Sequence, residues 1–443
     1  MRIPSIPGFD QQALEKYFKN AGMLLMARVG SMIVKFIINS LLLSRYLGPK
    51  DFGILNYPMA IVTFSMAIAA LGLDGFITRE LLNNPQKKNT LLGTAFWMRL
   101  AAGVITLPFV YVAYQLLTGI KPLETPFKYV LIVAFTAVVQ SVNIIDSFFQ
   151  SRVQGKHIMY VNVAGNVISA VIKLILILLK LPLIWFVYSL LLDAIILATG
   201  YIVAYIKQGE KVGDWKYDGE LTGYLLKYSW PLAFSAVLVT IYMKIDQIMI
   251  PMYTKASELG IYKTAADLSE NWYFIPVAIV SSVFPAIMNA RKTDVDRYHK
   301  RLQNMYDLMV LLSLGIAITM SLGSTFIYHL LYKPAFWNGA PILSVHVWAG
   351  LFVFLGVASS QYLIAEGYTK LAMLRTGMGA IVNVVLNIFW IPEYGIIGAA
   401  YATLIAYGVS TFFIIFIPKT SKQGLMMLKS LFLISLIQKL IKR

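Results

Sequence analysis

Stretches of apolar residues, each about twenty residues long as a membrane-crossing helix requires, follow one another along this chain with short polar joints between them. They fall at 22–43, 54–73, 92–117, 128–150, 158–179, 183–206, 228–252, 261–290, 304–330, 341–364, 371–390 and 395–418. Turn formers mark the joints, among them Gly48, Pro49, Pro122, Pro182, Gly339, Pro341 and Pro392. The pattern predicts an all-α integral membrane protein of about 12 transmembrane helices. The stretch 261–290 is long enough to be broken or strongly tilted, and Pro108, Pro231, Pro276 and Pro285 interrupt helical segments.

Lysine and arginine in the connections orient the spans. The odd-to-even connections hold 8 of them. The two ends and the even-to-odd connections hold 25, counting Arg375 with the joint before the eleventh stretch. The positive-inside rule then places both termini in the cytoplasm. The remaining five cations, Arg28, Lys35, Arg99, Lys173 and Lys244, lie within helices.

A weak internal repeat runs through the chain. A shift of 207 lays residues 17–57 on 224–264 without a gap, so that Tyr17 meets Tyr224, Tyr46 meets Tyr253, and the DFGI from Asp51 meets the ELGI from Glu258. A second echo aligns the segment from Gln154 with that from Glu366, including two glycines in each. Two six-helix halves are expected, 1–206 and 207–418, in parallel topology. A basic cytoplasmic tail, 419–443, follows; its stretch from Leu425 reads as an interfacial helix beside anionic lipid or as a solvated tail.

Composition removes several function classes. The 443 residues are 58% hydrophobic and 13% charged, with mean hydropathy +0.69, against about 25% charge in a soluble protein. The chain has no cysteine and four scattered histidines, so no disulfide framework, thiolate site or metal centre is expected. The net charge of +17 suits cytoplasmic loops and calls for no nucleic acid. The N-terminus lacks the layout of a signal peptide, so the first helix is expected to stay in the protein. No phosphate-binding glycine loop, nucleophile elbow or cofactor motif is present. Neither catalysis nor ATP-driven transport by this chain alone is expected.

Charge inside the spans is then the informative feature. One cation at mid-bilayer costs about 2.5–3.5 kcal/mol on insertion scales, so the five must snorkel, pair or line a wet cavity. Arg28, Met32, Lys35 and Asn39 share one helical face, as do Asn162, Asn166, Ser169 and Lys173. Gln140, Asn143, Asp146 and Gln150 form a third stripe, and Thr376, Asn383 and Asn387 a fourth. Amides donate and accept hydrogen bonds while arginine grips phosphate bidentately, so these walls suit a hydroxyl-rich phosphorylated ligand; the alternative is interhelical hydrogen bonding that glues the bundle. Among the acids, Asp246 occupies the repeat position of Asn39 and shares a face with Tyr242, and Glu270 lies near the start of the eighth stretch. Each is either an ion-coupling group or structural: for Asp246 a solvated helix end, for Glu270 an ion pair with a neighbouring helix. Asp74, Arg79 and Glu80 read as a loop clasp.

These segments resemble the polysaccharide transporter family, the Wzx-type flippases of lipid-linked O-antigen units. The likeness is carried by SRYLGPKDFGILNY from Ser44, GLDGFITREL from Gly72, and above all the long stretch KIDQIMIPMYTKASELGIYKTAADLSENWYFIPVAIVSSVFPAIMNARK from Lys244. The resemblance implies two six-helix bundles around a central cavity with alternating access. It implies a cargo of undecaprenyl pyrophosphate carrying an oligosaccharide, moved across the cytoplasmic membrane, with membrane lipid around it and a polymerase and chain-length regulator of the same pathway as partners. Cavity candidates are Arg28, Lys35, Asn39, Asn143, Asn166, Lys173, Tyr242 and Asn383; Asp246 and Glu270 are candidates for ion coupling. A multidrug exporter or a lipid II flippase of the same superfamily, or a membrane glycan polymerase, are the alternatives.

Overall fold

The computed structural model describes residues 30–441. Every regular element among them is helical. Eleven helical stretches are long and apolar enough to cross a membrane. The first of these, Gly30–Asn83, is 54 residues long. At about 1.5 Å per residue it would measure roughly 80 Å, against a hydrocarbon core of about 30 Å. Gly48 breaks it with φ 74° and ψ 174°, a conformation open to glycine and costly for other residues. The stretch therefore counts as two crossings and the total among the described residues is twelve, in line with the apolar pattern.

Irregularities fall where the helices carry polar residues. The eighth span is broken by a 3-10 turn, Asn271–Tyr273. Pro276 has no N–H to offer the Trp272 carbonyl, which explains a break at that point. Another 3-10 turn, Gln140–Ile144, separates Phe127–Val139 from Ile145–Ser151, and Ile37–Leu42 is wound as a π-helix.

The described chain groups into two compact units. The first comprises residues up to Tyr46 together with Ser65–Tyr111 and Lys128–Ala233. Its core holds Phe76, Phe148, Phe149 and Tyr205, with Phe148 edge-on to Tyr205 at 4.9 Å. The second comprises Leu47–Phe64, Val112–Phe127 and everything from Phe234 onward. Phe284, Tyr298, Tyr306 and Phe354 anchor its core.

The C-terminal segment is helical in two short pieces, Ser421–Leu431 and Ile434–Ile441. The first piece and the start of the second are turned into the second unit, not solvated. Gln423 donates to Tyr306 (2.7 Å) and Ser359 (2.9 Å), and Ser430 and Ser435 donate to the two oxygens of Asp307 at 2.6 and 2.8 Å. Buried polar groups matched in this way fix a segment in place, because leaving any of them unpaired is costly.

Candidate functional site

Within the first unit, helix Gly155–Leu178 turns its amide face toward the polar face of the first crossing. Together they line a cavity of about 510 Å³ whose polar walls include Ser31, Lys35, Gln150, Asn162 and Asn166. Asn166 donates to Ser31 Oγ, and Asn162 donates to the Ile158 carbonyl at 2.8 Å and to Tyr201 Oη at 3.3 Å. A smaller pocket lined by Lys35, Asn39, Asn166, Ser169 and Asp193 shares two of these residues. Two stripes predicted separately from helical spacing thus face one another.

Lys173 sits deeper. It is 1% exposed, and its Nζ donates to Asn39 Oδ1 at 2.9 Å and to Asp193 Oδ2 at 2.6 Å. Its charge is spent on a buried ion pair, an arrangement that holds only when both partners are present. Asp193, an acid in an otherwise apolar helix, was not singled out from the sequence; its one readable signal was being the lone acid in that span.

Asn143 belongs to a different cavity of the same unit, of about 260 Å³, with Asp74, Arg99, Gln140, Asp146 and Tyr201 in its wall. The 3-10 turn at 140–144 divides the third stripe, sending Gln150 to the larger cavity and the others here. Arg99, 4% exposed, binds Asp74 Oδ1 at 2.6 Å. Asp74 therefore clasps a helix-borne cation, while Arg79 pairs with its neighbour Glu80 at 3.6 Å.

In the second unit, the part of helix Gly219–Tyr253 from Phe234 onward carries Tyr242 and Asp246 on one face. Tyr242 stacks on Tyr407 with ring centroids 4.1 Å apart, and its carbonyl accepts from Asn383 Nδ2 at 3.1 Å. Asn387 donates to Asn383 Oδ1 at 2.7 Å. Asp246, 3% exposed, accepts hydrogen bonds from Tyr262 Oη and from the Gln247 N–H (2.8 Å). It is an interior carboxylate, not a solvated helix end. Asn387 Oδ1 is buried without a hydrogen-bond partner. Glu270 accepts from Lys244 Nζ at 2.8 Å, a pair across two helices that no intrahelical spacing announces.

Four of the five helix-borne cations are accounted for: Arg99, Lys173 and Lys244 pair with acids, and Lys35 lines a cavity. The fifth, Arg28, lies outside the described residues. The structure corrects the tally that counted Arg375 with a connection, and agrees with the stretch 371–390 that contains it. Arg375 lies inside helix Thr369–Tyr394, 5% exposed, and its guanidinium donates to Ser359 Oγ (2.9 Å), Ser360 Oγ (2.6 Å) and the Gly356 carbonyl (2.8 Å). Neutral oxygens spread over one neighbouring helix let a long cation replace its hydration at that depth.

A likeness to known proteins bears on what such cavities serve. Probable flippase AglR of Haloferax volcanii is 29% identical over 172 residues, 37% of this chain and 35% of that protein; the match thus spans about a third of the relative's length. Among solved structures, one titled lipid II flippase MurJ in an inward closed conformation aligns with a TM-score of 0.71 and 18% identity, over 94% of this chain and 92% of that one. An inward-facing multidrug resistance MATE family transporter of the MOP superfamily aligns at 0.69 and 12%, over 93% and 96%. At these identities the two structures establish a shared fold. The family of lipid II flippase MurJ matches residues 273–441. The polysaccharide biosynthesis protein family matches residues 17–291, more than half of the chain and all of the segment that holds the amide-lined cavity, and this membrane protein belongs to that family.

Proposed function

We propose that this protein is a flippase for lipid-linked oligosaccharide: it carries a polyprenyl-pyrophosphate glycan, of the undecaprenyl type, from the cytoplasmic to the outer leaflet of the cell membrane, as a transporter and not an enzyme. The observation that carries this reading is the cavity of about 510 Å³ in which Lys35 stands among Gln150, Asn162 and Asn166. A lysine charge and a set of amides within membrane-spanning helices match a pyrophosphate joined to sugar hydroxyls. An apolar drug cation would gain nothing from that lysine. Helical spacing in the sequence puts Arg28 on the face of Lys35, and Asn39, Asn143 and Lys173 complete the polar interior of the first unit. Tyr242 and Asn383 are the candidate cargo contacts of the second. A polymerase and chain-length regulator are the expected partners of a flippase in surface polysaccharide assembly, O-antigen and lipopolysaccharide among them.

The test is substitution. Arg28→Ala and Lys35→Ala are each expected to leave insertion intact and lower glycan-lipid export by about tenfold or more, the worth of one charge-assisted contact. Arg28→Lys is expected to be partly active, since an ammonium lacks the bidentate fork. Wild-type export by both alanine variants at normal expression would remove the cavity from the account. Topology is tested separately: reporters after Gln208 and at the C-terminus are expected to read cytoplasm, and one near Ser257 outside. A C-terminus outside the cell would contradict the orientation.

Coupling to an ion gradient belongs to Asp246, with Glu270 second. Asp246 is an interior carboxylate held by Tyr262 Oη and the Gln247 N–H, and a carboxylate so placed suits a proton or a small monovalent cation. Glu270 is already matched by Lys244 and has less to offer.

A further inference from the structure

The repeat predicts that residues 49 and 53 correspond to 256 and 260. In the second unit these four positions meet in a reciprocal contact. A Cβ on Gly53 would collide with the Ala256 carbonyl, and one on Gly260 with the Pro49 carbonyl. The same added atoms would lie 3.0 Å from Gly260 N and 3.1 Å from Gly53 N respectively. Residue i of one repeat touches j of the other, and j touches i, which is the geometry of a two-fold interface. It lies here between two halves of one chain. Only glycine allows backbones this close, as in membrane helix pairs built on small residues four apart.

Side chains of the 112–127 segment brace the contact. Lys121 Nζ donates to the Thr254 carbonyl at 2.7 Å, just past the end of helix Gly219–Tyr253. Glu124 Oε1 accepts from the first N–H of helix Ala256–Glu270 at 3.1 Å, and its Oε2 pairs with Lys50 at 3.5 Å. A cation at a helix C-terminus and a carboxylate at the next N-terminus each complement the helix dipole. All three joined segments, 44–53, 118–128 and 253–263, are odd-to-even connections, which the positive-inside rule places outside.

We propose that this glycine cross is the outer gate of the transporter, closed here by a pseudo-two-fold backbone contact and parted to release cargo outward. The inference rests on the transport reading above. Because the contact is symmetric, Gly53→Ala and Gly260→Ala must act alike, each methyl wedging apart the same pair. With Ala256→Cys as reporter in this otherwise cysteine-free chain, each is expected to raise labelling by an impermeant maleimide added outside by about tenfold, a shift of one decade in the open population. The double variant should label no faster than either single one. Unchanged labelling in both, or opening by only one of the two, would overturn the gate. In a chain with both glycines intact, Lys121→Cys and Thr254→Cys joined by a short bis-methanethiosulfonate should stop turnover until the bridge is reduced. Turnover at the unbridged rate would overturn it. Labelling needs no cargo, so its failure rejects the gate alone, whereas absence of flipping by the unmodified chain rejects the transport reading.

Discussion

Lys173→Met is expected to destabilise the protein by about 3 kcal/mol, the lower end of what breaking a buried ion pair costs. The lysine is almost wholly enclosed and its ammonium is matched by Asp193 Oδ2 at 2.6 Å and Asn39 Oδ1 at 2.9 Å. Removing it leaves a carboxylate in an apolar span with one polar neighbour fewer. The lower end applies because the Asp193 side chain keeps 30% exposure and can recruit water. Exchanging both charges together, Lys173→Met with Asp193→Leu, should recover most of the loss, since two matched apolar groups replace two matched charges. Thermal melting of the purified protein in detergent reads both effects. A fall in transport with an unchanged melting temperature in Lys173→Met would instead make the lysine a cargo contact.

Asp246→Asn is expected to abolish accumulation driven by an ion gradient while passive counterflow in vesicles persists within about twofold. The amide keeps the shape and the hydrogen-bonding reach of the carboxylate and removes its charge. One charge moved across 100 mV supplies about 2.3 kcal/mol, roughly fiftyfold in accumulation, so the loss is large where coupling passes through this residue. Equal loss of driven transport and counterflow would make Asp246 a cargo or folding residue. Undiminished accumulation would move the coupling role to Glu270. In the first half the repeat places Asn39 at this position, and there a tethered ammonium, Lys173, already fills the place beside the amide. If the proposed coupling holds, the position the repeat predicts to be shared carries a fixed cation beside it in one half and an exchangeable carboxylate in the other.

How far the sequence reached follows from what each feature depends on. The crossings were legible because hydropathy over about twenty residues depends only on the bilayer; the one element that seemed to defy the count, Gly30–Asn83, is divided by a glycine visible in the sequence. The stripes of Lys35 with Asn39 and of Asn162 with Asn166 were legible because periodicity shows which side chains share a face. Their meeting across one cavity required the packing of helices more than a hundred residues apart. The partners of the buried charges were not legible for the same reason. Lys173 finds Asp193 and Lys244 finds Glu270 across helix pairs, and nothing in either local sequence states the angle at which two helices cross. Arg375 was tallied with a connection although it falls inside the stretch 371–390, and the fold supplies two serine hydroxyls and a carbonyl that let the charge be buried. The division of the third stripe came from a 3-10 turn with no proline to announce it.

The central claim is that a pyrophosphate-linked glycan lipid crosses the bilayer through this chain. Its most direct test is a leaflet assay in proteoliposomes made with a polyprenyl-pyrophosphate oligosaccharide, the glycan being exposed to an impermeant sugar-specific hydrolase outside. With the protein present, digestion is expected to proceed past the half accessible at the start to nearly all of the lipid. With Arg28→Ala and Lys35→Ala combined, it is expected to stop at that half. Digestion halting at half with the wild-type protein in both orientations, while the same vesicles expel a lipophilic organic cation, would contradict the account and make the chain an exporter of another class.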